Sequence, residues 1–198
     1  MRTLHVWFRT WIVLAVLLTL IGCAATPPPN FYQLNEPAAT RLTGVERGIA
    51  VGVGPVNLAP YLDRPQIVIR GVGHKLELSE FNRWAEPLSD SISRVVIINL
   101  SNMLESTRVF KIPRRNKTIP LEFRTEIDIA RFDGAMGGDA VLVARWSLYG
   151  RKETALLTKV SLISESSGEA DFENLIAAQN RALQKLSQEI VAAIKSNR

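Results

Sequence analysis

The sequence predicts an α/β fold: a single, three-layer-like domain in which a mixed β-sheet is packed with two long amphipathic helices. Two observations point there. Runs of β-branched or alternating residues precede a stretch with apolar residues at helical spacing, and three more such runs precede a second stretch of that kind. A third is composition: 198 residues, 46% hydrophobic and 22% charged, suit one ordinary core and argue against a largely disordered chain.

Residues 1–22 read as a lipoprotein signal peptide. Arg2 and Arg9 supply a positive start, and residues 11–21 form an uncharged apolar run, too short to span a bilayer comfortably. The run ends in Leu20-Ile21-Gly22-Cys23, which resembles the lipobox of bacterial lipoproteins, where the cysteine thiol takes a diacylglycerol and becomes the first mature residue. The competing reading makes Cys23 an ordinary small residue after an uncleaved anchor helix. Lipidation is the expectation, and Ala24, where Asp would favour inner-membrane retention, directs it to the periplasmic face of the outer membrane. Removing 22 residues from 198 leaves 176, and the loss of two arginines lowers the net charge from +5 to +3. Residues 23–30 form the lipidated cysteine and a proline-rich tether, and residues 31–198 the α/β domain.

The elements follow in order. Residues 31–34 are a short strand candidate. Residues 49–56 are β-branched, broken by Gly52 and Gly54, and predict a buried, central strand ending at Pro55. Residues 66–70 and 75–78 predict a hairpin around Gly71 to Gly73. Glu86-Pro87 opens a helix over residues 87–105, on which Leu88, Ile92, Val96, Leu100 and Met103 recur at helical spacing. Leu121, Phe123, Ile127 and Ile129 alternate with charged residues in a half-buried strand that ends near Asp133-Gly134. Residues 140–149 and 155–164 add two more, predicting three antiparallel strands. A second amphipathic helix covers residues 171–195.

Little here carries catalysis. One cysteine and two histidines exclude a disulfide framework and make a metal site improbable, and no cofactor is expected. Gly52-Val53-Gly54-Pro55 lacks the third glycine of a dinucleotide loop. His74 belongs to a hairpin tip, and Glu77, Glu80 and Glu86 are acids near each other of a kind found in most chains. The expectation is a protein that is not an enzyme.

Two stretches stand out: Tyr61-Leu62-Asp63-Arg64-Pro65-Gln66-Ile67-Val68-Ile69-Arg70, and Phe81-Asn82-Arg83-Trp84-Ala85-Glu86-Pro87-Leu88. With the preceding VGPVNLAPYL and the early FYQL after a lipobox, they resemble the PqiC/YmbA family of ABC-type transport auxiliary lipoproteins. The resemblance covers most of the mature chain; the Gly-Val-Gly-His-Lys linker before LELSEFNRWAEPL departs from it. It implies a non-catalytic outer-membrane lipoprotein that works with an MCE-domain protein, PqiB-like, of an inner-membrane complex moving lipid between membranes. Homo-oligomerisation is left open and nucleic acid is not an expected partner.

Tyr61, Asp63, Arg64, Arg83 and Trp84 are the candidate partner-binding residues, since aromatics and arginine are enriched at interface hot spots. The structural alternative has Arg64 or Arg70 pairing with Asp63, and Trp84 or Phe81 covering the helix entrance. Arg108, Lys111, Arg114, Arg115 and Lys117 form a basic run without an acid, read as a solvated loop or a contact to lipid head groups or a partner. Two other classes compete with the adaptor reading: a lipid-anchored periplasmic lipid carrier, which needs a dry cavity, and an envelope hydrolase, which needs a convergent polar cleft.

Overall fold

A computed structural model describes residues 27–35, 48–112, 120–151 and 153–198, together with Trp7 and Trp11. Cys23, Arg114, Arg115 and Lys117 lie outside the described residues. The elements run β1 (Asn30–Tyr32), β2 (Val51–Leu58), β3 (Gln66–Arg70), β4 (Leu76–Trp84), α1 (Leu88–Leu104), β5 (Val109–Lys111), β6 (Phe123–Gly134), β7 (Asp139–Gly150), β8 (Ala155–Ser166) and α2 (Phe172–Ser196).

Strand β6 organises the sheet. One of its edges pairs antiparallel with β7 from Phe123↔Gly150 to Gly134↔Ala140, and β7 in turn carries β8, which makes the three antiparallel strands the sequence predicts. Its other edge is shared. Strand β2 runs parallel to it from Val51↔Phe123 to Leu58↔Ile129, whereas β3 meets it at Ile69↔Gly134. Beyond β2 lies β5; beyond β3 lie β4 and β1. The chain crosses from one partner position to the other through residues 59–65, where the Ala59 N–H donates to the Ile129 carbonyl at 2.9 Å.

Both helices touch each other, so the three-layer likeness resolves into a pair that shares one side of the sheet: α1 packs on β2 and β5, and α2 on β6, β7 and β8. Alternation explains the choice of face. Phe123, Thr125, Ile127 and Ile129 of β6 are buried, while Arg124, Glu126 and Asp128 between them meet water. Between the helices Asn99 Nδ2 donates to Ser187 Oγ at 3.1 Å. Under α2, Trp146 is 1% exposed, and its Nε1 donates to Ser161 Oγ at 2.9 Å, the partner that a buried indole N–H requires. Helix α2 starts at Asp171, whose carboxylate accepts from the Asn174 backbone N–H at 2.7 Å. Helix α1 starts after Pro87, without a side-chain cap, and ends at Glu105 in the left-handed region.

Three elements differ from expectation. Strand β2 continues past Pro55 to Leu58, because Pro55 falls in the register shift between Val53 and Val56, where its missing N–H costs no ladder bond. Strand β4 runs to Trp84, because residues 79–83 are too half-exposed to show apolar alternation. And part of the basic run is a strand, β5, parallel to β2 through Val51↔Val109.

Candidate docking groove

The turn between β2 and β3 is built around Leu62, 2% exposed, whose side chain belongs to the main core. Its N–H donates to the Ala59 carbonyl at 2.8 Å, and the Arg64 N–H to the Leu62 carbonyl at 2.9 Å, which turns Asp63 and Arg64 outward. The Pro65 carbonyl then accepts the Trp84 N–H at 2.7 Å, and the Tyr32 carbonyl accepts the Ala85 N–H at 2.8 Å. Those two bonds stitch the β4–α1 junction to the start of β3 and the end of β1. Between turn and junction lies a groove of about 360 Å³, lined by Asp63, Arg64, Pro65, Trp84, Ala85, Glu86, Pro87 and Leu88. The two stretches singled out in the sequence thus meet in one concave site.

Of the five candidate partner-binding residues, Asp63, Arg64 and Trp84 come together there. Trp84 is only 6% exposed and forms the groove's floor. Asp63 is exposed and, among the described residues, enters no ion pair. Arg64 is half-buried, and its Nε is shut off from water with no hydrogen-bond partner. Glu86 is committed: its Oε1 accepts from Arg94 at 2.5 Å and from Gln33 Nε2 at 3.1 Å. The Arg94 bond outweighs burial and holds the Glu86 carboxyl below its ordinary value. Arg83 is outside the groove, its Nε donating to the Glu80 carbonyl at 2.9 Å. Tyr61 turns the other way, its hydroxyl donating to Asp133 Oδ2 at 2.9 Å.

Asp133 was not singled out by the sequence, yet it anchors this region. It is fully buried, and its carboxylate accepts from Arg70 at 3.2 and 2.7 Å, from Arg131 Nε at 2.9 Å and from Tyr61. Arg70 therefore pairs with Asp133, and the pairing of Arg64 or Arg70 with Asp63 is not formed. Burial pushes the Asp133 carboxyl up, but the bonds from Arg70, Arg131 and Tyr61 prevail and hold it below its ordinary value. Burial and then the bond to Asp133 push the Tyr61 hydroxyl up to about 12. A legible signal did exist: an acid two residues after an arginine, at the end of an apolar alternation.

The basic run is partly engaged. Lys111 Nζ bonds Asp90 Oδ1 at 2.5 Å, and Arg108 reaches the Gly48 carbonyl at 3.3 Å. The acids weighed as a catalytic pair are in separate ion pairs, Glu77 with Lys75, Glu80 with Arg83 and Glu86 with Arg94. Among the described residues no group of His, Cys, Asp and Glu has a metal-holding arrangement, and no helix is long and apolar enough to cross a membrane.

Comparison with known proteins agrees with this architecture. The Intermembrane transport lipoprotein PqiC of Escherichia coli (strain K12) is 25% identical over 142 residues, 71% of this chain and 74% of that protein, and its counterpart in Shigella flexneri matches equally. A crystal structure of an uncharacterized protein superposes with a TM-score of 0.70 at 15% identity, covering 85% of this chain and 99% of that one. A protein from Xanthomonas campestris gives 0.63 at 18% identity, covering 86% and 96%. These two share the fold. Residues 32–191, from the end of β1 into the last turns of α2, match the ABC-type transport auxiliary lipoprotein component family, and the chain belongs to that family of transport lipoproteins.

Proposed function

We propose that the protein is a non-enzymatic, outer-membrane lipoprotein subunit of an intermembrane lipid-transport system, anchored through Cys23, and that it docks the periplasm-spanning MCE-domain protein through the Asp63–Arg64 groove. One observation carries the reading. Two segments about twenty residues apart in the chain line a single groove, and in it Arg64 has a buried, unpaired Nε. An unsatisfied buried donor is costly, so the half-exposed Arg64 side chain gains by turning out of its present position to a carboxylate or carbonyl that a partner presents. Asp63 beside it offers the opposite charge, so the pair can set register as well as attraction. Tyr61 supports the site from below through Asp133, Trp84 forms its floor, and Arg83 flanks it with Glu80. The name of the PqiC relative, an intermembrane transport lipoprotein, supports the transport assignment.

The basic run, Arg108, Lys111, Arg114, Arg115 and Lys117, is the second candidate contact, for head groups or for the partner; Arg108 and Lys111 would have to exchange their bonds to the Gly48 carbonyl and Asp90 to serve it.

The test is capture from detergent-solubilised envelopes with the full-length lipoprotein as bait, wild type against Arg64→Glu and Cys23→Ala. An MCE-domain protein should be captured by the wild type and lost with Arg64→Glu, and Cys23→Ala should abolish fatty-acid labelling and hinder release from the inner membrane. Capture indifferent to Arg64→Glu would move the docking surface elsewhere. Fatty-acid labelling that survives Cys23→Ala would end the anchor assignment.

A further inference from the structure

We propose that the tip of the β3–β4 hairpin, residues 71–75, rests on the lipid bilayer, with Val72 seated among the lipids and Lys75 at the head groups. The inference rests on the proposed lipid anchor at Cys23 and adds the orientation of the domain to it.

Direction comes from the sheet. Strand β1 is parallel to β4, with Asn30↔Asn82, Phe31↔Arg83 and Tyr32↔Trp84. Because β4 starts at the hairpin tip and runs away from it, the chain that precedes Asn30 enters β1 from the tip side. Reach comes from covalent geometry. Cys23 and Asn30 are seven residues apart, which spans at most about 25 Å. Asn82, the register partner of Asn30, and Lys75 are also seven residues apart, roughly 23 Å along a strand. The anchor can therefore attain the level of the tip and hardly pass it, so a lipidated Cys23 brings the bilayer to that end of the sheet.

The tip is made for that position. Val72 is 96% exposed, and the Lys75 side chain 70%. Phe31 at 64%, Phe81 at 43% and Leu78 at 41% are further exposed apolar side chains of β1 and β4. Apolar side chains held in water at such exposure are released from it when they enter the interface, and Lys75, paired in water with the exposed Glu77 at 2.9 Å, exchanges that partner for lipid phosphates there. The Gly-Val-Gly-His-Lys linker, where this chain departs from the pattern of the resemblance, is this tip.

The experiment places a tryptophan at the tip of the full mature lipoprotein in phosphatidylcholine vesicles whose acyl chains are brominated either near the head group or near the chain end. Trp84 and Trp146, 6% and 1% exposed, set the background in every variant. The Val72→Trp indole should be quenched well beyond wild type by the shallow bromines, while Arg151→Trp, in the β7–β8 turn at the opposite end of the sheet, should stay at background. Equal quenching of the two variants, or an unquenched Val72→Trp indole, would overturn the placement; a blue-shifted but unquenched one would show the tip covered by protein. Mass measurement of the Cys23 peptide separates the two levels. An unmodified Cys23 removes the anchor and this orientation with it, whereas a lipidated Cys23 with an unquenched tip overturns the orientation alone.

Discussion

Arg70 grips Asp133 through two hydrogen bonds, Nε to Oδ1 at 3.2 Å and Nη2 to Oδ2 at 2.7 Å, and so ties β3 to β6 where the strands share the register pair Ile69↔Gly134. A sparse backbone ladder at that point means that side chains hold the β3–β4–β1 arm against the rest of the sheet. Arg131 and Tyr61 complete the cluster, and Tyr61 belongs to the turn that shapes the candidate groove. The arm and the groove therefore share one buried carboxylate.

Removing that carboxylate should be severe. Asp133→Ala leaves Arg70, Arg131 and the Tyr61 hydroxyl without their common acceptor, and breaking a buried pair in this way costs about 3–5 kcal/mol. Tyr61→Phe removes a single bond to a charged acceptor and should cost about 1.5 kcal/mol. Urea unfolding at neutral pH checks both, and equal midpoints for the two variants would contradict the central place given to Asp133.

The same cluster sets a dependence on pH. The Asp133 carboxyl is held below its ordinary value of 3.8 in the folded protein, so its contribution is complete above that value and is lost as pH falls through the lower folded one. Tyr61 acts in the opposite sense. Its folded value of about 12 lies above the ordinary 10.0, so its contribution is complete below pH 10 and is lost as pH rises towards 12. Unfolding midpoints should fall on both flanks; Asp133→Asn should flatten the acid flank below pH 4, and Tyr61→Phe the alkaline one.

Much of the fold was legible because its main elements obey one period each. Ile127 and Ile129 alternate with acids, and Leu183, Leu186 and Ile190 recur at helical spacing, so β6 and α2 announce themselves. Strand β5 did not, since three residues, Val109 to Lys111, set within a basic run carry no period. The groove was legible in part: the segments around Arg64 and Trp84 could be picked out, but their meeting depends on the Trp84 N–H finding the Pro65 carbonyl across the β3–β4 bulge. Asp133 was the least legible, because its partners Tyr61 and Arg70 lie 72 and 63 residues away.

Gly54 tests the other end of β2. Its φ is +129°, and a Cβ there would lie 2.6 Å from the Ile112 carbonyl oxygen. Gly54→Ala therefore combines an unfavourable backbone region with a clash against main chain, and should cost at least about 1–3 kcal/mol. Gly73 also has a positive φ, but nothing lies within 4 Å of its Cβ position. Gly73→Ala should be the milder change in a thermal melt, since φ at Gly73 is +65°, in the left-handed region that L residues can enter; the reverse order would contradict this account of Gly54.

Arg64 and Trp84 line the same groove, yet their substitution should separate stability from docking. Trp84 is a core residue, so Trp84→Ala should cost about 3–5 kcal/mol of folding free energy and lose binding only as the fold is lost. Arg64 is different, because its buried Nε lacks a partner in the free protein. Arg64→Met keeps the length of the side chain while deleting that unsatisfied donor, a change that ordinarily leaves stability equal or slightly raised. If Arg64 is completed by the docked partner, the same variant forfeits at least about 2 kcal/mol of binding, a roughly thirtyfold weaker Kd. Paired melts and titrations against the captured MCE-domain protein would show the two effects moving in opposite directions. An Arg64→Met protein that melts early and binds weakly in proportion would make Arg64 a strut of the turn, and the partner would have to be sought at the basic run instead.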